Sequence, residues 1–183
     1  MFLFSKPTSI LFLGRDSLAF SSSSLQHPLK LTYPKDVMEF GVIQNDEGFT
    51  SVTKEFLKSI KSRERPILLL SDDLVYLKTV DNKDRPHLGK IAKEFLEKVP
   101  VEDHSIGKGI AETKSGVMLF IIDKRLPEEL IAVCKSSGWN IPHIVPSVLT
   151  GIDASKLSDT KGAVKTILAT LHLHPKCDFK KVV

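Results

Sequence analysis

One stretch of the sequence, Val117 to Pro146, constrains the fold most because it predicts a strand, a helix and a second strand in succession. Val117 to Ile122 is a continuous apolar run, long enough for a buried strand and too short for a helix. Pro127 suits the first turn of the helix, where its missing N–H needs no partner, and Gly138 suits the end. Asn140 to Val145 then resumes extended structure. Such a unit must pack its helix on a sheet, which the rest of the chain has to supply.

Length and composition limit the class of protein. The 183 residues suffice for one domain or two small ones, and 42% hydrophobic residues suffice for a core. The formal net charge is +4, but the lysines are scattered among acidic residues, which favours solvated helix faces over a nucleic-acid surface. Two unclustered cysteines, Cys134 and Cys177, indicate a reducing compartment without a disulfide framework.

No apolar segment approaches the ~20 residues of a membrane helix. The opening apolar segment is too short for a signal peptide and runs directly into Arg15 and Asp16. We therefore expect a cytoplasmic protein whose first ordered element is a strand.

The first part of the chain predicts a meander of three strands, then a helix and a fourth strand. The meander strands are short apolar or alternating segments: Thr8 to Leu13, Ser17 to Phe20 and Leu29 to Tyr33. A helix from Asp46 to Lys61 has apolar residues three or four positions apart, and Pro66 to Leu70 is a continuous apolar strand. This order of elements predicts a mixed sheet.

The middle of the chain predicts a smaller set of elements. Leu74 to Val80 reads as a strand and Leu88 to Val99 as a short amphipathic helix. His104 to Glu112 is a strand that pairs with Val117 to Ile122 across a turn. Asp159 caps a final helix that runs through Leu171, and the residues after that helix have no evident partner in a sheet.

The order of elements, with the phrases LGRDSLAF, PILLLSDDLVYLKTV and GVMLFIIDKRLPEELIAVCKSSGWNIPHIVPSVL, resembles the amino-terminal half of the PilM family. These are actin-like cytoplasmic proteins of type IV pilus assembly, related to the division protein FtsA. The resemblance covers about residues 8–152 and implies an α/β fold, a ribonuclease H-like (actin-like) lobe with a small inserted α+β subdomain. Residues 1–71 and 146–183 would form the core subdomain, and residues 72–145 an inserted strand–helix–strand–strand–helix–strand subdomain.

The family's first turn carries Asp-x-Gly, small hydroxylated residues and a Lys, in a loop that faces ATP phosphates and Mg²⁺. The matching positions here are Phe12, Leu13 and Gly14, then Arg15, Asp16 and Ser17, with Ala19 where the Lys would fall. Phe12 cannot hold a metal ion or its water, because Mg²⁺ requires oxygen ligands. Asp16 would place an anion against the phosphates, which Arg15 offsets only in part. We therefore expect a degenerate remnant of a phosphate loop, with no catalytic residue, no cofactor and no metal site.

Two further groups of polar residues are candidates for a metal site or a catalytic site. His172, His174 and Cys177 have a spacing that suggests zinc, but a fourth ligand is missing, so a polar helix end and loop are favoured. Asp72 and Asp73 could be paired carboxylates for acid–base chemistry. Adjacent residues of an extended chain point to opposite sides, however, so a role in a turn is favoured for both.

Three aromatic or imidazole side chains are expected to be structural. His104 and His143 are isolated in the sequence, which favours structural or surface roles over catalysis. Trp139 is expected to pack the end of its helix against the sheet, and the alternative is that its ring anchors a partner peptide.

The resemblance implies a non-catalytic cytoplasmic scaffold in type IV pilus or type II secretion-like assembly. In the family, the partner is an inner-membrane pilus assembly protein, whose cytoplasmic leader peptide is held between the core and inserted subdomains. Such a protein would reach the membrane only through that partner and would bind no nucleic acid. Two alternatives stay open: half of a split actin-like ATPase that needs a second chain, and a generic α/β interaction domain without a pilus link. The sequence names no partner-binding residue.

Overall fold

Two larger sheets, a separate two-stranded hairpin and five α-helices make up the computed structural model, which describes residues 7–61 and 65–179 and, at Asp103, only the backbone. In chain order, the strands are β1 (Ser9–Leu13), β2 (Ser17–Ser22), β3 (Leu29–Thr32), β4 (Met38–Glu39), β5 (Val42–Ile43), β6 (Pro66–Leu70), β7 (Val75–Asp81), β8 (Ile106–Glu112), β9 (Gly116–Asp123) and β10 (Ile144–Pro146). The helices are α1 (Asp46–Ser59), α2 (Leu88–Lys98), α3 (Arg125–Ser136), α4 (Ser147–Thr150) and α5 (Thr160–Leu173). None of these helices is long and apolar enough to cross a membrane.

The central sheet has five strands in the order β10-β6-β1-β2-β3. The meander β1-β2-β3 is antiparallel, with Leu11 opposite Phe20, and β6 joins β1 in parallel, with Leu68 beside Leu11. An antiparallel meander followed by parallel crossover strands is the arrangement predicted for a ribonuclease H-like lobe. The predicted α/β fold class is confirmed.

Helices cover both faces of the central sheet. α1 and α3 pack together on one face, where Leu57 and Leu130 join the main apolar cluster with Leu11. α5 packs on the opposite face, where Ile167 joins a second cluster with Ile10. All residues of β1 and β6 are buried, which is why both strands are continuous apolar runs instead of alternating ones.

The ends of the helices follow their capping residues. The Asn45 side chain accepts a hydrogen bond from Gly48 N at 2.9 Å at the start of α1. Asp159 accepts one from Gly162 N at 3.0 Å, so its predicted cap of α5 is confirmed. Gly138 follows α3 with φ of 82°, a left-handed conformation that a glycine adopts without strain.

The second sheet has three antiparallel strands in the order β7-β9-β8. β8 pairs with β9 as predicted. On one face, Val80, Val117 and Leu119 meet α2. On the other face, Phe120 and Ile122 join the main apolar cluster of the central sheet, so the two sheets share a core.

The structure places the last two elements of the predicted inserted subdomain elsewhere. α3 packs against α1, and β10 pairs in parallel with β6, with Val145 opposite Leu69. Both elements therefore lie with the central sheet, and the second sheet contains only β7, α2, β8 and β9. In a βαβ unit, the two strands lie parallel in one sheet. β9 already has an antiparallel neighbour on each side, β7 and β8, so no edge of β9 is open to β10. β10 pairs instead with β6, in parallel. The division into residues 1–71 plus 146–183 and 72–145 as folding domains stays a prediction.

The chain after α5 has the partner that the sequence analysis did not find. Phe179 N donates to Ile144 O at 3.0 Å, at the open edge of β10, and the Phe179 ring packs against Gly109 of β8. Cys177 Sγ donates to Ile110 O at 3.0 Å. This segment thus connects the two sheets. Residues 1–6, 62–64 and 180–183 of the predicted core subdomain lie outside the described residues.

Candidate functional site

The turn between β1 and β2 contains Gly14, Arg15, Asp16 and Ser17, which the resemblance to the PilM family matches to a phosphate loop. Gly14 N donates to Ser17 O at 2.9 Å, which closes a two-residue loop with Arg15 and Asp16 exposed at its tip. The loop is bonded to its neighbours, because Arg15 O accepts from Gly41 N at 2.6 Å and Asp16 O accepts from Tyr33 N at 2.8 Å. These main-chain groups are therefore already used within the protein.

Phe12 and Ala19 do not reach this turn. They lie opposite each other in the register of β1 and β2, and both belong to the buried cluster beneath α5. Phe12 is only 8% exposed. The two positions that the resemblance matches to the PilM family's Asp and Lys are thus part of the apolar core.

A short hairpin that the sequence analysis did not predict stands beside this turn. β4 and β5 are joined by Phe40 and Gly41, whose φ angles of 52° and 81° are those of a type I′ turn. A phenylalanine in this region is uncommon and costs on the order of 1 kcal/mol. The Phe40 side chain is 73% exposed, although it is among the largest apolar side chains of the protein. A strained and exposed aromatic residue is typical of a binding surface.

The hairpin tip forms one wall of a groove between the two sheets, which we call the junction groove. It has a volume of about 170 Å³. The lining residues come from five separate segments: Arg15, Phe40, Gly41, Val42, Leu70, Asp73, Leu74, Tyr76, Pro100, Val101, Asp123, Arg125, Leu126 and Pro127. The groove therefore exists only in the folded chain, where the central sheet, β7 and the start of α3 meet.

Hydrogen bonds hold the polar side chains of the junction groove in place. Arg125 Nη2 donates to Asp123 Oδ2 at 2.5 Å, and Arg125 Nη1 lies 3.8 Å from Glu102 Oε2. The bonds to Asp123 raise the pKa of the Arg125 guanidinium above its ordinary value. Elsewhere in the lining, Arg15 Nε donates to Asp73 O at 3.3 Å. Both arginines thus carry charge at the groove and are oriented by a neighbour.

The junction groove continues past Val42 into a second depression of about 260 Å³. Acidic residues dominate this end, since Asp46, Glu128 and Glu129 line it together with the Asp123–Arg125 pair. Glu128 is partly neutralised by Lys124 at 3.7 Å. This depression is therefore acidic, although the whole chain has a net positive charge.

The structure does not bring the other candidate residues together as catalytic or metal sites. Asp72 begins a short 3₁₀ turn and accepts a hydrogen bond from Ser147 Oγ, and Asp73 N in the same turn donates to Ser71 Oγ, so the expected turn role is confirmed. His172 is exposed, whereas Cys177 is buried. In residues 7–61 and 65–179, no three metal-ligating side chains converge.

The isolated histidines and the tryptophan have the expected structural roles. His143 Nδ1 lies 2.7 Å from Asp178 Oδ2, and Asp178 also accepts a hydrogen bond from Ile144 N at 3.1 Å. His104 is a surface residue 3.3 Å from Glu102. Trp139 is 5% exposed and packs edge-on against Phe20 of β2, with ring centroids 5.4 Å apart. The alternative role of Trp139 as an exposed peptide anchor is wrong.

Sequence reasoning missed Phe40, Val42 and Tyr76, the exposed apolar residues of the junction groove. One local signal was present, an aromatic residue followed by Gly41 between two short apolar segments. Nothing in the sequence places Tyr76 beside that hairpin.

No protein-family model and no curated protein matches this sequence. Among solved structures, the chain is similar to the cytoplasmic domain of EpsL, an inner-membrane component of the type II secretion system of Vibrio cholerae. That likeness has 11% identity and a TM-score of 0.48 and covers 78% of this chain and 58% of the other. A Bacteroides thetaiotaomicron protein with an actin-like ATPase fold and unknown function has 11% identity, a TM-score of 0.42 and coverage of 78% and 52%. This chain thus spans little more than half of either solved chain, and at these TM-scores we draw no family assignment.

Proposed function

We propose that this chain is a non-catalytic cytoplasmic scaffold that binds the leader peptide of an inner-membrane protein in the junction groove. The observation that carries the proposal is the exposed, strained Phe40 at the mouth of that groove. The assignment to type IV pilus or type II secretion-like assembly rests on the sequence resemblance to the PilM family. We further propose that the chain performs this role without ATP.

Apolar exposure at the groove supports a protein ligand. Phe40 and Val42 are 73% and 55% exposed, and Tyr76, at 39%, lines the same groove. Exposed apolar side chains grouped at a cleft with a polar rim mark protein interaction sites. An aromatic residue with few rotatable bonds is also a common energetic centre of such interfaces.

The size of the junction groove favours side chains of a peptide over a whole small molecule. Its volume of about 170 Å³ is smaller than the ~300–1,000 Å³ typical of small-molecule pockets. One or two apolar side chains fill such a space, and the rest of the peptide would lie along the surface toward the acidic depression.

Charge supports a leader peptide of a membrane protein in particular. Cytoplasmic segments next to membrane helices are enriched in Lys and Arg. The acidic end of the junction groove, with Asp46 and Glu129, complements such a segment. Exposed charges are screened at cellular salt, so the apolar anchors supply most of the affinity, and a Kd in the micromolar range, on the order of −8 kcal/mol, is expected.

Fluorescence anisotropy with labelled leader peptides tests the proposal. The peptides are the cytoplasmic leaders of membrane proteins encoded beside this chain. Phe40→Asn removes the ring but suits the type I′ turn, because Asn adopts positive φ readily. We expect binding at least tenfold weaker in Phe40→Asn, the size of a central anchor. The matched control is Leu173→Asn, which changes a residue that is equally exposed (71%) but outside the groove.

Thermal melts of both variants check that the fold is intact. Equal affinity of Phe40→Asn and the unchanged chain, or no leader binding below about 100 μM, would remove the proposal. A loss of binding in both variants would also count against it, because the effect would then not belong to the groove.

A further inference from the structure

The face of the second sheet that carries α2 is incompletely covered. Three strands about 4.8 Å apart make a surface wider than the roughly 10 Å of one helix. The consequence is visible in α2, where no residue is fully buried although Ile91, Ala92 and Phe95 pack against the sheet. Space therefore remains beside the helix.

This space forms a groove between α2 and β8, with a volume of about 240 Å³. Phe95 and Leu96 line it from the helix, and Leu119 and Ile121 line it from β9. Its lining includes two charged residues, and both are lysines, Lys93 on α2 and Lys108 on β8. We call it the lysine-rimmed groove.

The two lysines have no ion-pair partner within the part of the chain that the structure describes. Both side chains are exposed, and Glu97, one turn along α2 from Lys93, makes no ion pair with it. An apolar groove between two unneutralised cations presents a charge pattern that an anionic ligand with apolar groups complements.

We propose that the lysine-rimmed groove is a second docking site, which takes one or two large apolar side chains of a partner segment flanked by Glu or Asp. The partner is a protein segment because the groove is smaller than the ~300–1,000 Å³ of a small-molecule pocket. An amphipathic helix with apolar residues four positions apart fits a groove beside a helix.

A lipid surface fits this site less well. Proteins that lie on membranes bury protruding apolar side chains in the lipid. None of the groove residues is among the large apolar side chains that are exposed in the described chain. The apolar atoms here are recessed, so they receive a side chain and do not insert.

This inference is independent of the proposed function. The depression that continues the junction groove is acidic and favours a basic leader, whereas the lysine-rimmed groove favours an acidic segment. A negative result for one groove therefore does not affect the proposal for the other. The protein would then connect two partners of opposite charge.

A panel of three 15-residue peptides tests the lysine-rimmed groove on the full chain. The first has Phe and Leu four residues apart with Glu on both flanks, the second replaces each Glu by Lys, and the third replaces Phe and Leu by Ser. Anisotropy should show binding of the first peptide only, and the affinity should fall as the salt concentration rises. A peptide helix that binds without regard to charge, or no binding below about 100 μM, overturns the proposal.

Two double variants locate the binding. Lys93→Glu with Lys108→Glu should lower the affinity for the first peptide roughly tenfold. The reason is that two attractions between exposed charges become repulsions. Lys83→Glu with Lys114→Glu makes the same change in net charge at exposed positions outside the groove and should leave binding unchanged. Equal weakening in both double variants overturns the site.

Two other occupants are outcomes that overturn the proposal. In the first, the peptide does not bind, but anionic vesicles of phosphatidylglycerol and phosphatidylcholine do, and Lys93→Glu with Lys108→Glu weakens that binding. This result would assign a lipid as the ligand of the groove. Self-association in sedimentation that disappears in Lys93→Glu with Lys108→Glu would assign a second copy of this chain.

Discussion

The two sheets of this protein differ in how completely they are covered. In the central sheet, every residue of β1 and β6 is buried, with helices on both faces. In the second sheet, β7 is an outer strand with one fully buried residue, Val80, and Tyr76 and Leu77 remain exposed. The central sheet holds the fold together, and the second sheet leaves surfaces that can bind other molecules.

The difference follows from the number of layers. One helix cannot cover three strands, and Lys78 near the middle of β7 discourages pairing of this open edge with another chain. Both proposed docking sites lie at the second sheet, one on its junction with the central sheet and one beside α2. Binding surfaces are thus expected on the parts of the second sheet that no helix covers.

The largest effect expected from this comparison is on stability. Leu68→Ala in the fully buried β6 should lower the free energy of unfolding by about 3 kcal/mol, because it leaves a cavity in the core. Leu77→Ala on β7 should cost less than about 0.5 kcal/mol, since that side chain is 41% exposed. Urea denaturation of both variants measures the difference. Similar losses in the two variants would mean that the sheets are equally well packed.

A smaller effect concerns alkaline pH and the two buried cysteines. Burial raises the pKa of Cys134, on α3, to about 12 and that of Cys177, beside β8, to about 11. As the pH rises, the thiols of the unfolded chain ionise first, near the ordinary pKa of about 8.5. Below that pH both states keep the thiols protonated, and the stability contribution of each thiol is fully present. As pH rises toward 11–12, stability falls by about 1.4 kcal/mol per unit and thiol.

Unfolding curves between pH 8 and about 10.5 measure this slope. Cys134→Ala and Cys177→Ala should each reduce the loss, with the flattest slope in the double variant. The comparison uses slopes because each substitution also changes the packing at neutral pH. A double variant that loses stability as steeply as the unchanged chain would show that the thiols do not stay protonated in the folded state.

The smallest effect, none at all, is expected from ATP. Gly14 N in the turn between β1 and β2 donates to Ser17 O, and Phe12 and Ala19 are buried beneath α5. Calorimetry with ATP and Mg²⁺ should give no saturable signal at millimolar nucleotide. Micromolar binding would favour the split-ATPase alternative and would move the functional surface to the central sheet.

Local elements of the fold could be predicted from the sequence because their determinants lie within a few residues. The apolar run Pro66–Leu70 is β6, and Asp159 caps α5 as expected. Alternation and helical periodicity record which side of an element is buried. They do not record which partner covers it, and this is why the sequence did not show that α3 packs against α1 or that β10 pairs with β6.

The docking surfaces were decided by the tertiary structure. Arg15, Phe40, Tyr76 and Arg125 are far apart in the sequence and meet only when β7 and the hairpin pack against the central sheet. The sequence by itself determined where most strands and helices form, the β4-β5 hairpin excepted, and that positions 12 and 19 are apolar. It could not determine the grooves, because a groove is the space left between packed elements. Its shape depends on how several strands and helices pack against one another in the folded chain.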